Sequence, residues 1–342
     1  MVTKKRRDGK IRRLARGSAV VVGAGLVTVL LMEGVTRLSG YSKRYLCDPV
    51  FAPFPEAAEI PYVLKPDLRH ALAPTGTVFS TDSLGLRSPD GVPDSTAADL
   101  RIAVVGDSVT FGQGVATADT FCEVLQAELR EARPDVSVRV FNFGVPGYSV
   151  REMAASVRGR VAAVEPDLAM MCVIFSDFEV ERCGVVDRWG YLHNRKQASY
   201  DHPDALRYLL LRHFHLTYLV RDLVVRYEAG RPARNGGPSP PLLPGELPAA
   251  YPYLGQFADA AVELAIEPLV VTLPTIQHDG SELRAVTGQL EVDGVPFLDL
   301  TGLRRELSDE AFRVSPRDGH PSAAVHRRIG EELAGAVLDL VD

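Results

Sequence analysis

From residue 100 onward the chain repeats one rhythm: a short apolar run rich in β-branched residues, a turn, and then an amphipathic helical pattern. "LRIAVVG" leads into "DTFCEVLQAELREAR", where Phe121, Val124, Leu125 and Leu129 recur at helical spacing. "VSVRVFNFG", "SVREMAASVRGRVAAV" and "DLAMMCVIF" continue the alternation. Strands separated by helices predict a parallel sheet, because a parallel neighbour can be reached only through a crossover, and such sheets are covered on both faces. The rhythm stops after Asp177 and returns with "YLGQFADAAVELAI", "PLVVTLP", "VPFLDL" and a last helix from Pro321 to Val341. The expectation is therefore five parallel strands with one interruption.

That interruption, residues 185–250, holds "ALRYLLLRHFHLTYLVRDLVVRY" and a Pro/Gly/Ser-rich stretch. The first piece carries four Arg and two His, so it reads as an amphipathic helix packed on the domain rather than a membrane span. The second reads as a surface loop. Residues 41–100 lack a sustained period and read as an irregular lead-in with one hairpin, "TVFSTDSLGLRSPDG" being the most strand-like piece.

The first sixteen residues carry eight Lys or Arg against one Asp, and Gly17 to Met32 contains no charge. This pattern predicts a basic cytoplasmic tail over 1–16 and a membrane anchor helix over 17–38, with groups from Glu33 to Leu38 completing a run that is otherwise short for a bilayer. Everything beyond would lie outside the cytoplasmic membrane. A cleaved secretory signal has the same basic start and apolar middle, but no A-x-A-type site precedes Tyr41. The net charge of −6 argues against a nucleic-acid binder, which needs a basic face to displace counterions from phosphates. Of the four cysteines, Cys122 and Cys172 sit in apolar patterns as small hydrophobes, whereas Cys47 and Cys183 lie in irregular segments and can pair in an oxidising compartment. No Cys/His spacing suggests a metal site.

In an open α/β sheet the ligand site forms at the carboxyl ends of the strands. Gly106-Asp107-Ser108 ends the first strand, Asn142 to Ser149 ends the second, Ser176-Asp177 ends the third, and Asp318-Gly319-His320 opens the last helix. Ser108 is a weak nucleophile unless a base takes its proton. His320 is the one histidine expected on that rim: His193, His202, His213, His215 and His278 fall in the insertion or a nearby loop, His70 in the lead-in, and His326 two turns into the last helix. Asp318 can hold the imidazole in the required tautomer. "NFGVPGYS" offers a Gly-rich turn whose Gly147 can bring a backbone N–H to an oxyanion, beside the N–H of Ser108 itself. Asp107, Asn142, Gly144 and Asp177 are the expected supports of these loops. Ser108 has a plainer alternative role as the cap of the following helix.

These residues resemble the SGNH, or GDSL, hydrolases. "GDSVTFG" looks like the block that carries the nucleophile, "NFGVPG" like the block that ends in the oxyanion glycine, and "DGHPS" like the block that carries the base. The basic start, single apolar segment and "DSLGLRSP" also look similar to bacterial membrane-anchored members, some of which move acetyl groups on and off extracellular polysaccharides. The resemblance implies a flavodoxin-like three-layer α/β/α sandwich and a serine esterase or O-acyltransferase that uses no metal or organic cofactor. The implied substrate is a small acyl ester or an acetylated envelope polysaccharide or lipid-linked sugar. Two departures stand out. The family's third block reads Gly-x-Asn-Asp with the asparagine donating to the oxyanion, whereas here the stretch is "IFSDF" and Ser176 takes that place. The family's acid stands three residues before its histidine, whereas Asp318 stands two before His320. Ser176 keeps open a second expectation, a catalytically weakened or non-catalytic module that binds envelope glycan.

Overall fold

The computed structural model describes residues 2–39, 48–73, 76–89, 97–180, 183–186, 190, 192–193, 213–217, 219–220, 223, 246–276, 280–316 and 318–341. The chain divides into two compact units, one of Met1–Leu46 with Asp201–Asn235, the other of Cys47–Tyr200 with Gly236–Asp342.

The first unit is built on α1 (Val2–Leu38), which runs unbroken through the basic stretch and the apolar one. Its apolar portion, Arg16–Leu38, has 23 residues. At 1.5 Å per residue it reaches about 34 Å, enough for a hydrocarbon layer of about 30 Å. The continuous helix thus supplies the length that the uncharged run alone lacks, and Val20, Leu26, Leu30 and Leu31 along it are exposed. Near its end Glu33 is buried and accepts the backbone N–H groups of His215 (2.9 Å) and Leu216 (2.7 Å) while pairing with Arg37 at 2.6 Å. The described part of the insertion helix is therefore fastened to α1 through a carboxylate that serves two helix-start amides.

The second unit is a three-layer sandwich. Its sheet contains the five parallel strands β6 (Leu100–Gly106), β7 (Val138–Gly144), β8 (Leu168–Val173), β11 (Glu267–Thr272) and β12 (Phe297–Asp299), in the order β12-β11-β8-β6-β7. Both faces are dry, and the period-2 alternation of each strand sorts its side chains between two cores. Ala103 and Val105 of β6, with Ala169, Met171 and Val173 of β8, face one core, in which α4 (Val150–Gly159), α5 (Pro252–Glu263) and α6 (Arg284–Asp293) place Met153, Val157, Leu254, Phe257, Val286 and Leu290. Ile102 and Val104, with Leu168, Met170 and Cys172, face the other, where α3 (Phe121–Ala132) and α8 (Ala323–Val341) bring Phe121, Leu125, Leu129, Ile329, Leu333 and Val337. Each such fully buried side chain contributes roughly 1.5–3 kcal/mol of burial energy.

The lead-in is more ordered than its sequence suggests. It forms a two-stranded pair of β1 (Phe51–Pro53) and β2 (Tyr62–Leu64), and then β3 (Ala71–Leu72), β4 (Val78–Thr81) and β5 (Arg87–Ser88), which add to the main sheet to give the order β12-β11-β8-β6-β7-β5-β4-β3. The pairing of β5 with β7 is antiparallel and sets Arg87 opposite Asn142. Strands of two to four residues carry no readable period, so the free edge of β7, not local propensity, decides their conformation. The unit boundary also sets this lead-in with the sheet, not apart from it. The insertion's described residues include a short pair, β9 (Val185–Val186) with β10 (Leu192–His193); the rest of the expected loop, and the pairing of Cys47 with Cys183, lie outside the described residues. Cys122 and Cys172 are buried, as small hydrophobes are.

Candidate active site

The break after β6 has a steric cause. Gly106 and Gly144 are paired across β6 and β7, and a Cβ on Gly144 would lie 2.2 Å from the Phe111 nitrogen, so the chain after β6 can turn tightly over the end of β7 only if that position is glycine. Asp107 then caps the short helix α2 (Ser108–Phe111), its Oδ1 accepting the Val109 N–H at 2.7 Å. Ser108 is therefore the first residue of a helical turn at the carboxyl end of the central strand, with its hydroxyl only partly buried.

His320 arrives differently from the expectation. It does not open the last helix but lies on β14 (Asp318–Pro321), which pairs antiparallel with β13 (Arg313–Ser315); α8 begins only at Ala323, after the short α7 (Asp309–Phe312) has supplied Phe312 O as acceptor for the Ser322 N–H. The extended conformation answers the question of spacing. On a strand, residues two apart project from the same face, so Asp318 reaches the ring of His320 directly. His320 Nδ1 is 2.6 Å from Asp318 Oδ1, which also accepts the His320 N–H at 3.1 Å. On the other side of the ring, Nε2 stands 2.9 Å from Ser108 Oγ. The structure thus joins Ser108 to His320, 212 residues further on, and through it to Asp318 in one hydrogen-bonded chain.

With Nδ1–H donated to the carboxylate, Nε2 carries the lone pair that faces the serine hydroxyl. The Ser108 proton has a second acceptor in Asp107 Oδ2 at 3.1 Å. Burial pushes the Asp318 carboxyl up, but the hydrogen bond to the imidazole ring, the ring's electrostatic attraction and the His320 N–H together outweigh it, so the carboxyl sits below the usual carboxylate range. It is thus an anion at neutral pH, suited to stabilise an imidazolium next to it. Its Oδ2 is buried with no hydrogen-bond partner among the described residues.

The remaining predicted residues stand on β7 and on the turns that follow β7 and β8. Gly147 has φ +88°, and a Cβ there would lie 2.8 Å from the Tyr62 hydroxyl. That hydroxyl donates to Pro146 O at 3.0 Å, and the Tyr148 hydroxyl donates to Tyr62 O, so β2 of the lead-in fixes the turn that carries Gly147. Asn142 is buried; its Nδ2 donates to Thr110 O and its Oδ1 accepts the Gly144 N–H, both at 2.9 Å, tying β7 to the turn that Ser108 begins. Asp177 is buried and its Oδ2 accepts the Ile174 N–H at 2.8 Å. It pins the turn Phe175–Phe178, and Ser176 on that turn leaves the end of β8, the strand next to β6. The contribution of the lead-in was not foreseen from the sequence; the one available signal was the "DSLGLRSP" piece that follows the strand-like "TVFST". No group of metal-ligating side chains is present among the described residues.

Fold and site together define a parallel α/β sandwich that carries a Ser-His-Asp chain on the carboxyl rim of its sheet. No protein-family model and no curated protein matches the sequence. Among solved structures, the chain is similar to a protein of the G-D-S-L family from Desulfitobacterium hafniense (14% identity, 69% of this chain and 98% of that one, TM-score 0.41). It is also similar to a catalytic mutant of an acetylxylan esterase from Geobacillus stearothermophilus (17% identity, 71% and 94%, TM-score 0.40). A third similar structure is an alpha/beta hydrolase from the metagenome of Lake Arreo, Spain (19% identity, 71% and 95%, TM-score 0.39).

Proposed function

We propose that the protein is a serine ester hydrolase or O-acyltransferase of the SGNH type. The observation that carries this reading is the continuous chain Ser108 Oγ, His320 Nε2, His320 Nδ1, Asp318 Oδ1, with contacts of 2.9 and 2.6 Å. Ser108 attacks the ester carbonyl as His320 takes its proton; the imidazolium, paired with Asp318, returns that proton to the leaving alcohol. The acyl-enzyme then passes to water or to another hydroxyl. The N–H groups of Ser108 and Gly147 and the hydroxyl of Ser176 are the oxyanion donors in this reading. With α1 as a single-pass anchor and its basic start in the cytoplasm, the catalytic unit faces the extracytoplasmic side, and the substrate is an acetylated envelope glycan or a lipid-linked sugar. If α1 is instead a cleaved leader, the same chemistry is released from the membrane.

A second reading follows from Ser176, whose side chain is shorter than the asparagine the sequence blocks lead one to expect: a glycan-binding module with little or no turnover. The full chain in detergent micelles, incubated with an aryl acetate with and without a sugar acceptor, separates the readings. Turnover that Ser108→Ala abolishes supports the enzyme, and acceptor-dependent acyl transfer marks it as a transferase. Glycan binding that Ser108→Ala leaves unchanged, with no turnover in the parent, supports the binding module. Ser176→Asn should raise kcat if the serine is a short-armed donor.

A further inference from the structure

The β5 strand of the lead-in places a buried cation under the nucleophile turn. Arg87 is 3% exposed and has no carboxylate partner among the described residues. Its guanidinium instead spends its donors on the segment that follows Ser108. Nη1 donates to Phe111 O and to Gly112 O, both at 2.7 Å, Nη2 to Val115 O at 2.7 Å, and Nε to the Thr117 hydroxyl at 3.2 Å. The plane of the group lies against the rings of Phe111, 4.8 Å from the centroid, and Phe79, at 5.8 Å. Burial lowers its pKa, to about 10, and leaves it charged at neutral pH.

The acceptors are the carbonyls that the end of the α2 turn leaves without helical partners. A helix end that short cannot hold itself, because each of its terminal carbonyls is an orphan. Gly112 and Gln113 bend back to donate their N–H groups to Ser108 O, which closes the turn on the nucleophile itself. Arg87 holds the next two carbonyls, and Asn142, its partner across β5 and β7, holds the one before them at Thr110 O. A planar fork with several fixed donors suits such a task, whereas an ammonium group does not.

We infer that Arg87 is a positioning residue for catalysis: the lead-in strand β5 uses its guanidinium as a clamp that fixes the turn Ser108–Val115 and so holds the Ser108 hydroxyl at hydrogen-bond distance from His320. This inference rests on the reading of Ser108 as nucleophile, although the clamp itself is a property of the backbone. Arg87 touches no reacting atom. Its effect reaches Ser108 only through the turn, and it should therefore show in kcat and not in substrate affinity.

The test uses the full chain in detergent micelles, the parent beside Arg87→Met and Arg87→Lys, with an aryl acetate as substrate and backbone hydrogen exchange as a second readout. A displacement of the nucleophile by about 1 Å costs on the order of a hundredfold in rate. Arg87→Met should lose about that much kcat with KM within about threefold of the parent. Arg87→Lys, which keeps the charge but not the fork, should fall between the two. In both variants the amides of residues 111–115 should lose protection while those of β8 keep it. Turnover within twofold of the parent in Arg87→Lys and Arg87→Met would overturn the inference, as would protection lost evenly across the sheet, which marks a merely structural arginine. If Arg87→Met does not fold, Arg87→Lys decides by the same two criteria. A parent without turnover, or with turnover that survives Ser108→Ala, overturns the nucleophile reading instead; the contrast in exchange between residues 111–115 and β8 then decides the clamp alone.

Discussion

Replacing His326 with glutamine tests how the domain handles a titratable ring that it has enclosed completely. His326 lies on α8 with none of its surface exposed, stacked 5.6 Å from the Phe121 ring, and its Nδ1 accepts the Phe121 N–H at 3.2 Å. That hydrogen bond requires an unprotonated Nδ1, and Nε2 has no hydrogen-bond partner among the described residues. Burial, followed by the charges of Arg87 and His320, holds the ring neutral and lowers its pKa from 6.5 to about 3. The unfolded chain binds the proton near pH 6.5, while the folded one refuses it until about pH 3. The stability contributed by the neutral ring is thus complete above the unfolded value and drains away as pH falls through this window. Integrating the linkage relation from pH 6.5 to 4.5 gives about 2 kcal/mol, and over the whole window roughly 5 kcal/mol. For a domain of this size about 2 kcal/mol is roughly 4–8 °C in Tm. Melts of the full chain in detergent micelles at pH 6.5, 5.5 and 4.5, followed by near-ultraviolet circular dichroism, should show that difference as a steeper pH slope in the parent than in His326→Gln. Other titrating groups act equally in both proteins, and loss of the ring's hydrogen bond shifts the variant by a constant. Parallel slopes would refute the reasoning.

The other expectations concern the site. Asp318→Asn removes the anion that fixes the imidazole tautomer and should lower kcat by roughly 10³–10⁴-fold with KM little changed, measured on an aryl acetate. Gly147→Ala forces a side chain into a positive φ and against the Tyr62 hydroxyl, and should cost about a hundredfold in kcat while hydrogen exchange in β6 and β8 stays as in the parent. Asn142→Ala leaves Thr110 O and the Gly144 N–H unpaired in a buried place, and should lower the unfolding free energy by about 1–3 kcal/mol in urea titrations.

The five parallel strands were legible because a strand buried on both faces must be apolar throughout: Ile102 to Val105 and Leu168 to Val173 cannot be surface. The turns that hold Ser108 and Gly147 were legible because tight turns and close backbone approach leave a mark in residue type. The lead-in was not, since Arg87 and Tyr62 act through long-range contacts to distant turns, which leave no period in the sequence. The place of Asp318 was obscured by a wrong element: a helix start gives no reason for two-residue spacing, whereas a strand makes it the natural one. The apolar portion of α1, Arg16–Leu38, was legible almost to the residue in the uncharged run and its flank, whereas the helical continuation back to Val2 through the basic stretch carries no apolar signal.

The central claim is that the Ser108 hydroxyl is activated by His320. Reaction of the full chain with a fluorophosphonate, with the modified peptide mapped and the rate compared with that of His320→Gln, measures this activation without reference to any natural substrate. The account predicts a single adduct on Ser108 and a rate lower by about a thousandfold or more in the variant. An adduct elsewhere, or equal rates in the two proteins, would contradict it.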